Sequence, residues 1–158
     1  MVDAGFEGFR RFDELRLHRP PSAPGVYMVI RDHTRSPGFA STNSAGRHRD
    51  FTEPVERLAE AWVDDCQVLY VGLARSGMRG DGLHRRLKQF RRTGAGRADN
   101  HAGGVSVFQL ADGDELRVCW RVSADPSDEG VVAEEHALIE GFVRGIGGGK
   151  RPFANRRD

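Results

Sequence analysis

One segment, residues 67–90 (QVLYVGLARSGMRGDGLHRRLKQF), constrains the fold more than any other part of the chain. It opens with an apolar run typical of a strand, breaks at glycines, and continues with apolar residues at helical spacing. A strand followed by an amphipathic helix is typical of domains that pack helices on a sheet. The segment therefore predicts a mixed α and β fold.

Composition narrows the class of protein. A chain of 158 residues with 38% hydrophobic and 30% charged residues predicts one soluble domain, residues 1–158, with an ordinary core. No apolar run approaches the roughly 20 residues that cross a bilayer, and the N-terminus lacks the layout of a signal peptide. Cys66 and Cys119 match no metal spacing, which predicts reduced, buried thiols in a cytoplasmic protein without a membrane partner.

Short apolar runs bounded by turn residues predict four strands. They cover residues 25–30, 68–71, 105–110 and 116–122. The Asp112-Gly113 pair predicts that the last two form a hairpin. Three helix patterns are expected, beginning at Thr52-Glu53-Pro54 and covering residues 82–92 and 129–144. Residues 1–24 end in PPSAP and predict a helical or irregular lead-in, so we expect a small, largely antiparallel sheet flanked by helices.

The charges are segregated although the formal net charge is only +1. Residues 79–97 contain seven Lys or Arg residues and a single acid, Asp81. Such a block can bind a polyanion, and a merely solvated face is the alternative. The candidate nucleic-acid-binding residues are Arg79, Arg85, Lys88, Arg91, Arg92 and Arg97, with a second patch at Lys150, Arg151, Arg156 and Arg157.

Helical geometry separates two charged residues from the others. Leu83, Leu87 and Phe90 form the apolar stripe of the basic helix, and Arg86 falls on the shoulder of that stripe. In the last helix, Glu135 falls within the apolar arc, where an ionised carboxylate is costly unless a cation or metal compensates it. A functional site and a structural Glu–Arg pair are both compatible with this pattern.

Five elements occur in the order of a known pattern. They are Tyr27 in GVY, Tyr70 in YVG, Arg86 in GLHRRLKQF, Glu135 in EHALI and Asn155 in PFAN. Over residues 24–156 the chain resembles the GIY-YIG nuclease superfamily, and in particular its bacterial members with insertions. The resemblance implies an α+β fold with a three-stranded antiparallel sheet flanked by helices, and metal-dependent hydrolysis of phosphodiester bonds in DNA, or alternatively RNA.

The resemblance also implies a role for each element. Tyr27 is the general base, Tyr70 positions the water or shares its proton, and Arg86 clamps the phosphate. Glu135 is the ligand of one Mg²⁺ or Mn²⁺ ion, and Asn155 orients the site. The segment HAGGVSVFQL resembles a His-x-Gly-Gly segment of some bacterial members, which adds His101 as a candidate.

Three departures from the family pattern are visible. Residues 31–67 form an insertion in the first hairpin, and residues 145–158 form a Gly-rich loop and basic tail. Phe90 stands one turn after the arginine, where the family commonly has His or Tyr, and a phenyl ring cannot relay a proton. His101 or His84 could replace that group in space.

Three functions follow for testing. The first is a metal-dependent endonuclease, and the second is a catalytically impaired module that binds nucleic acid through the basic face. The third is a partner-binding domain in which Glu135 and Arg86 form a structural pair.

Overall fold

Four antiparallel strands and three α-helices form the α+β fold of the described chain, which in this computed structural model comprises residues 1–45, 50–97, 99 and 102–156. The strands are β1 (Glu7–Arg11), β2 (Gly25–Ile30), β3 (Val68–Ala74) and β4 (Arg117–Val122). The helices are α1 (Val55–Ala61), α2 (Gly82–Gly94) and α3 (Asp128–Arg144), and short 3-10 helices cover Val2–Ala4, Glu14–Arg16 and Val105–Gln109. Among the described residues, no helix combines the length and apolar character needed to cross a membrane.

The strand order in the sheet is β1-β4-β2-β3, so β2 lies inside the sheet and β3 at its edge. All six residues of β2 are buried, as expected for a strand that is paired on both sides and covered on both faces. Tyr27 at its centre lies opposite Gly72 of β3 and Trp120 of β4. The predicted strands at residues 25–30 and 68–71 are confirmed, the second continuing to Ala74.

Helices α2 and α3 cover opposite faces of the sheet. The apolar stripe of α2, Leu83, Leu87 and Phe90, is fully buried in one core cluster with Tyr27 and Tyr70. On the other face, α3 packs Ile139 against a second cluster that includes Val26, Met28, Val71 and Cys119. Each such apolar side chain stabilises the fold by about 1.5–3 kcal/mol. Both cysteines are free and buried, as predicted.

The predicted lead-in contains a strand, which corrects the sequence analysis. β1 pairs with β4, so the sheet has four strands where the resemblance implied three. Its residues EGFRR include a single large apolar residue, Phe9, and Gly8 and Phe9 have positive φ angles of 94° and 51° at an irregularity in the pairing. A methyl group on Gly8 would lie 2.5 Å from the Trp120 ring, so the close approach requires glycine.

The strand predicted at residues 105–110 was also wrong. Val105–Gln109 is a 3-10 helix, preceded by Gly104 in the left-handed conformation with φ of 72°. Val105, Ser106, Val107 and Gln109 are all buried, so the apolar residues of this segment pack into the core from a tight turn. Gln109 donates from its side-chain amide to the carbonyls of Ala40 and Glu53, which ties this helix to the segment between β2 and β3.

Candidate active site

Two phenols occupy the face of the sheet that α2 covers. Tyr27 of β2 and Tyr70 of β3 are diagonal neighbours, with ring centroids 6.0 Å apart. Phe90 of α2 packs against both rings, at 6.2 Å from Tyr27 and 5.8 Å from Tyr70. Because the three rings pack against one another in the core, the positions of the two hydroxyl groups are well defined.

Glycines make room for these phenols. A methyl group on Gly72 would lie 2.6 Å from the Tyr27 ring and 2.8 Å from the Tyr70 ring. Methyl groups on Gly103 and Gly104 would fall 2.6 Å from the Tyr70 hydroxyl and 2.8 Å from its ring. The Gly-Gly pair noted in the sequence therefore lies directly over Tyr70 and covers it.

The hydroxyl of Tyr27 is fully buried, and its hydrogen-bonding contacts are with the Tyr70 hydroxyl and the Arg86 guanidinium, neither of which has the geometry of a well-formed bond. Burial raises the pKa of Tyr27 well above its ordinary value of 10.0. The neighbouring Tyr70 adds to this rise, and Arg86 opposes it. Burial also raises the pKa of Tyr70, against the influence of Arg86 and reinforced by Glu135. Both phenols are consequently neutral at physiological pH and can donate a proton.

Arg86 of α2 is half-buried, on the shoulder of the buried stripe. Its guanidinium lies close enough to lower the pKa of Tyr27, Tyr70 and Glu135. One positive group from α2 therefore acts on both phenols and on the carboxylate of α3.

Glu135 of α3 is half-buried, between the buried Val131 and Ile139. Burial raises its pKa from the ordinary 4.5, although His136, Arg86, Arg151 and Arg75 all act to lower it. The preceding Glu134 has a different environment.

Glu134 accepts from Arg121 at 2.8 and 2.6 Å, and Ser123 donates to its second oxygen. It therefore forms a structural ion pair with β4. The two adjacent carboxylates of α3 thus differ in environment, and Glu135 is the one that acts electrostatically on Tyr70.

Asn155 holds the edge strand. Its Oδ1 accepts from the Val71 amide at 2.8 Å, and its Nδ2 donates to the Val71 carbonyl at 2.7 Å. The amide of Ala154 donates to the Leu69 carbonyl at 2.8 Å, so the C-terminal segment pairs along the outer side of β3. Because its amide is buried and engaged at both ends, Asn155 positions Tyr70 and Gly72 through the backbone.

The predicted basic residues have different surroundings. Arg85 forms an ion pair with Asp81 at 3.1 Å, and Arg92 forms one with Asp99 at 2.8 Å. Lys150 donates to the Glu60 and Trp62 carbonyls and so closes the C-terminal end of α1. Arg79, Lys88 and Arg97 are exposed, and Arg91 and Arg151 are half-buried.

Histidine does not replace the missing relay within the described residues. His84 faces Arg19 and Lys88, away from the phenols, and Phe90 is fully buried between the rings. His101 and Arg157 lie outside the described residues. Arg156 forms an ion pair with Glu53.

Sequence reasoning missed two members of this site, Gly72 and Arg75. Gly72 belongs to the quoted triplet YVG, and the structure gives it a steric reason. Arg75 directly follows β3 and acts on Glu135, and its place immediately after an apolar strand was the available signal.

Two phenols, a guanidinium and a carboxylate are thus brought together around the edge strand β3. No protein-family model matches the chain, and comparisons with curated proteins and with solved structures found no significant match. The chemistry of the site is accordingly inferred from these side chains.

The same residues decide which metal ion would fit. No group of three or more His, Cys, Asp or Glu side chains that could hold a metal occurs in the described part of the chain. A single half-buried carboxylate among three arginines does not suit a resident, fully coordinated ion. It does suit Mg²⁺ or Mn²⁺ held by one carboxylate, several waters and a substrate phosphate.

Proposed function

We propose that this protein is a metal-dependent endonuclease with a GIY-YIG-like fold, which hydrolyses phosphodiester bonds of nucleic acid, primarily DNA. The observation that supports the proposal best is the proximity of Tyr27, Tyr70, Arg86 and Glu135. In this assignment β2, β3 and β4 correspond to the three strands of the family, and β1 is an addition from the lead-in.

Arg86 stabilises the negative charge of the transition state. Its planar guanidinium pairs with the phosphoryl oxygens, on which negative charge increases in the transition state. Glu135 holds Mg²⁺ or Mn²⁺ when substrate is bound, and such an ion supplies Lewis-acid activation of the phosphate and of water. The phosphate also offsets the positive charges of Arg86, Arg75 and Arg151 around Glu135.

Tyr27 transfers the proton of the attacking water. Because its pKa is raised in the free protein, the phenol acts as a relay: its oxygen accepts a proton from the attacking water while its own proton passes to a phosphoryl oxygen. The water oxygen bonds to phosphorus as the P–O ester bond breaks, and the proton received by the phosphoryl oxygen passes to the leaving ester oxygen, which departs as a hydroxyl group. In the free protein this hydroxyl faces Tyr70 and Arg86, and the relay requires that it bind the attacking water once substrate is present.

Plasmid cleavage tests the assignment. Supercoiled DNA is incubated with Mg²⁺ or Mn²⁺ and the wild type, Glu135→Ala or Arg86→Ala, and a matched RNA gives the preference between nucleic acids. We expect nicking or cleavage that either substitution lowers by at least about 10²-fold. Glu140→Ala, at an exposed position of the same helix, is the control and should cleave as the wild type does. Undiminished cleavage by Glu135→Ala would overturn the proposal.

A second candidate is a module that binds nucleic acid without cleaving it. The buried Phe90 between the two phenols favours it, because a phenyl ring offers no proton relay at that position. Salt-sensitive binding to DNA with no cleavage in either metal is its signature. The same assay with a gel-shift measurement distinguishes the two functions.

A further inference from the structure

A pocket of about 200 Å³ lies between the lead-in and α2, apart from the tyrosine site. We call it the lead-in pocket. It is lined by Leu15, Arg16, Arg19, Pro20, His84, Lys88 and Arg91. Of these seven described residues, five are basic and none is acidic. Such a concave, one-signed lining concentrates positive potential.

The pocket is a fixed part of the fold. His84, Lys88 and Arg91 recur at one-turn spacing along one flank of α2. The amides of Leu83 and His84 donate to the carbonyls of Ala23 and Pro21, which attach the lead-in to the first turn of the helix. A methyl group on Gly82 would lie 2.1 Å from the Ala23 carbonyl oxygen, so glycine permits this close contact.

His84 has an incomplete hydrogen-bond environment in this pocket. Nη2 of Arg19 lies 3.4 Å from Nε2 of His84, and since a guanidinium only donates, Nε2 is the acceptor and Nδ1 carries the proton. That Nδ1 is buried and has no hydrogen-bond partner among the described residues. The nearest carboxylate that acts on His84, Asp81, is itself paired with Arg85.

Like charges crowd the pocket. Burial lowers the pKa of His84, the charges of Arg19 and Lys88 lower it further, and Asp81 opposes them. Burial also lowers the pKa of Arg91, and Arg16, Arg97 and Arg92 add to that effect. Mutual repulsion between these cations destabilises the folded state, and a bound anion would relieve it. A phosphate group, with several acceptor oxygens, matches a lining of guanidinium, ammonium and imidazole donors.

We propose that the lead-in pocket is a second phosphate-binding site, which holds a phosphate of the nucleic acid while another occupies the tyrosine site. The inference rests on the proposed function in taking the phosphate to belong to nucleic acid. Arg86 and the pocket residues of α2 lie on opposite flanks of the apolar stripe, about 150° apart around the helix. The solvent-facing arc between them carries Arg85 and Arg92, which are paired with Asp81 and Asp99, and a strand that occupies both sites would cross α2 over these two arginines.

Two measurements on the full chain test the pocket. In the first, inorganic phosphate is titrated into wild-type protein while the imidazole resonances of His84 are followed by NMR. We expect saturable shifts of those resonances, and shifts weakened at least fivefold in Arg16→Ala/Arg19→Ala. Both arginines are exposed, so the double variant should fold.

The second measurement is binding of oligonucleotides without metal, as a function of salt. The double variant is compared with Arg144→Ala, which removes an exposed arginine of α3 whose ion pair is a long 3.8 Å. Each lost phosphate contact should reduce the magnitude of the slope of log K against log salt by about one, and this reduction is expected in the double variant alone. Oligonucleotides with and without a 5′-phosphate identify the source: loss of the effect without it indicates a terminal phosphate, and persistence indicates a backbone phosphate.

The proposal for the pocket can be tested independently of the proposed nuclease activity. If the protein does not cleave, the difference between the double variant and Arg144→Ala still appears in metal-free binding. His84 resonances that phosphate leaves unmoved, together with equal salt slopes for the two variants, would overturn the pocket.

Discussion

Gly72 lies opposite Tyr27 in the pairing of β3 with β2, and a methyl group on it would fall 2.7 Å from the Tyr27 hydroxyl oxygen. The same methyl would lie 2.8 Å from the Tyr70 ring. One glycine thus allows both phenols to approach the backbone of the edge strand. The YVG triplet therefore has a steric basis in this fold, independent of any resemblance.

Gly72→Ala should destabilise the fold and displace the phenols. Both rings are packed in the core and cannot yield without strain, so we expect a loss of about 1–3 kcal/mol in the free energy of unfolding. A shift of about 1 Å in Tyr27 should lower cleavage by roughly 10²-fold. Denaturant titration and plasmid cleavage measure the two effects. Gly141→Ala, where a methyl group meets open space on α3, is the control and should be neutral or slightly stabilising.

Tyr27→Phe should separate activity from stability. The hydroxyl is fully buried, and its contacts with Tyr70 and Arg86 fall short of well-formed hydrogen-bond geometry, so removing it should change the free energy of unfolding by no more than about 1 kcal/mol. Cleavage should fall by about 10²–10⁴-fold, because the proton relay is lost. A large loss of stability would show instead that the hydroxyl has a structural partner.

Asn155→Ala should release the outer side of β3. It leaves both peptide groups of Val71 unpaired, which should cost about 2–4 kcal/mol and speed hydrogen exchange at the Val71 amide. Asn155→Asp keeps the acceptor for the Val71 amide, but its ionised form lacks the donor for the carbonyl. Protonation restores that donor, so its instability should diminish at low pH. Wild-type exchange at Val71 in Asn155→Ala would contradict this role.

Glu135→Gln should stabilise the metal-free protein at neutral pH. The folded state raises the pKa of Glu135 above 4.5, so it binds this proton more tightly than the unfolded chain. The stability associated with the protonated carboxyl is complete below about pH 4.5. It is lost as pH rises through the folded pKa. The advantage of Glu135→Gln should therefore vanish in acid, as unfolding measured against pH in a chelating buffer would show.

The neighbouring glutamates supply one control of opposite sign and one neutral control. Glu134→Gln weakens the ion pair with Arg121 and should destabilise the fold by about 1–3 kcal/mol at neutral pH. Glu140→Gln, at an exposed position, should change little. If Glu135→Gln behaved like Glu134→Gln, the carboxylate would belong to a structural pair and the metal-ligand role would lose its support.

The successful sequence predictions concern elements whose pattern repeats locally. β2 and β3 are short apolar runs bounded by turn residues, and α2 and α3 carry a period of 3.6 residues, which allowed Arg86 to be placed on the shoulder of α2. The failures concern β1 and the segment at 105–110. β1 is defined by pairing with β4 across more than 100 residues, with a glycine against Trp120. The alternation in VSVFQ matched a strand, but tertiary packing formed a 3-10 helix.

The sequence by itself determined the α+β class, the apolar stripe of α2 and the inward arc that contains Glu135, because periodicity and side-chain polarity are properties of neighbours along the chain. Only the tertiary structure decided that Glu134 pairs with Arg121, that the Tyr27 hydroxyl is fully buried beside Tyr70 and Arg86, and that the lead-in encloses a basic pocket with α2. These features depend on which distant groups are brought into contact. Partner choice and burial are set by packing of the whole chain, which local patterns do not encode.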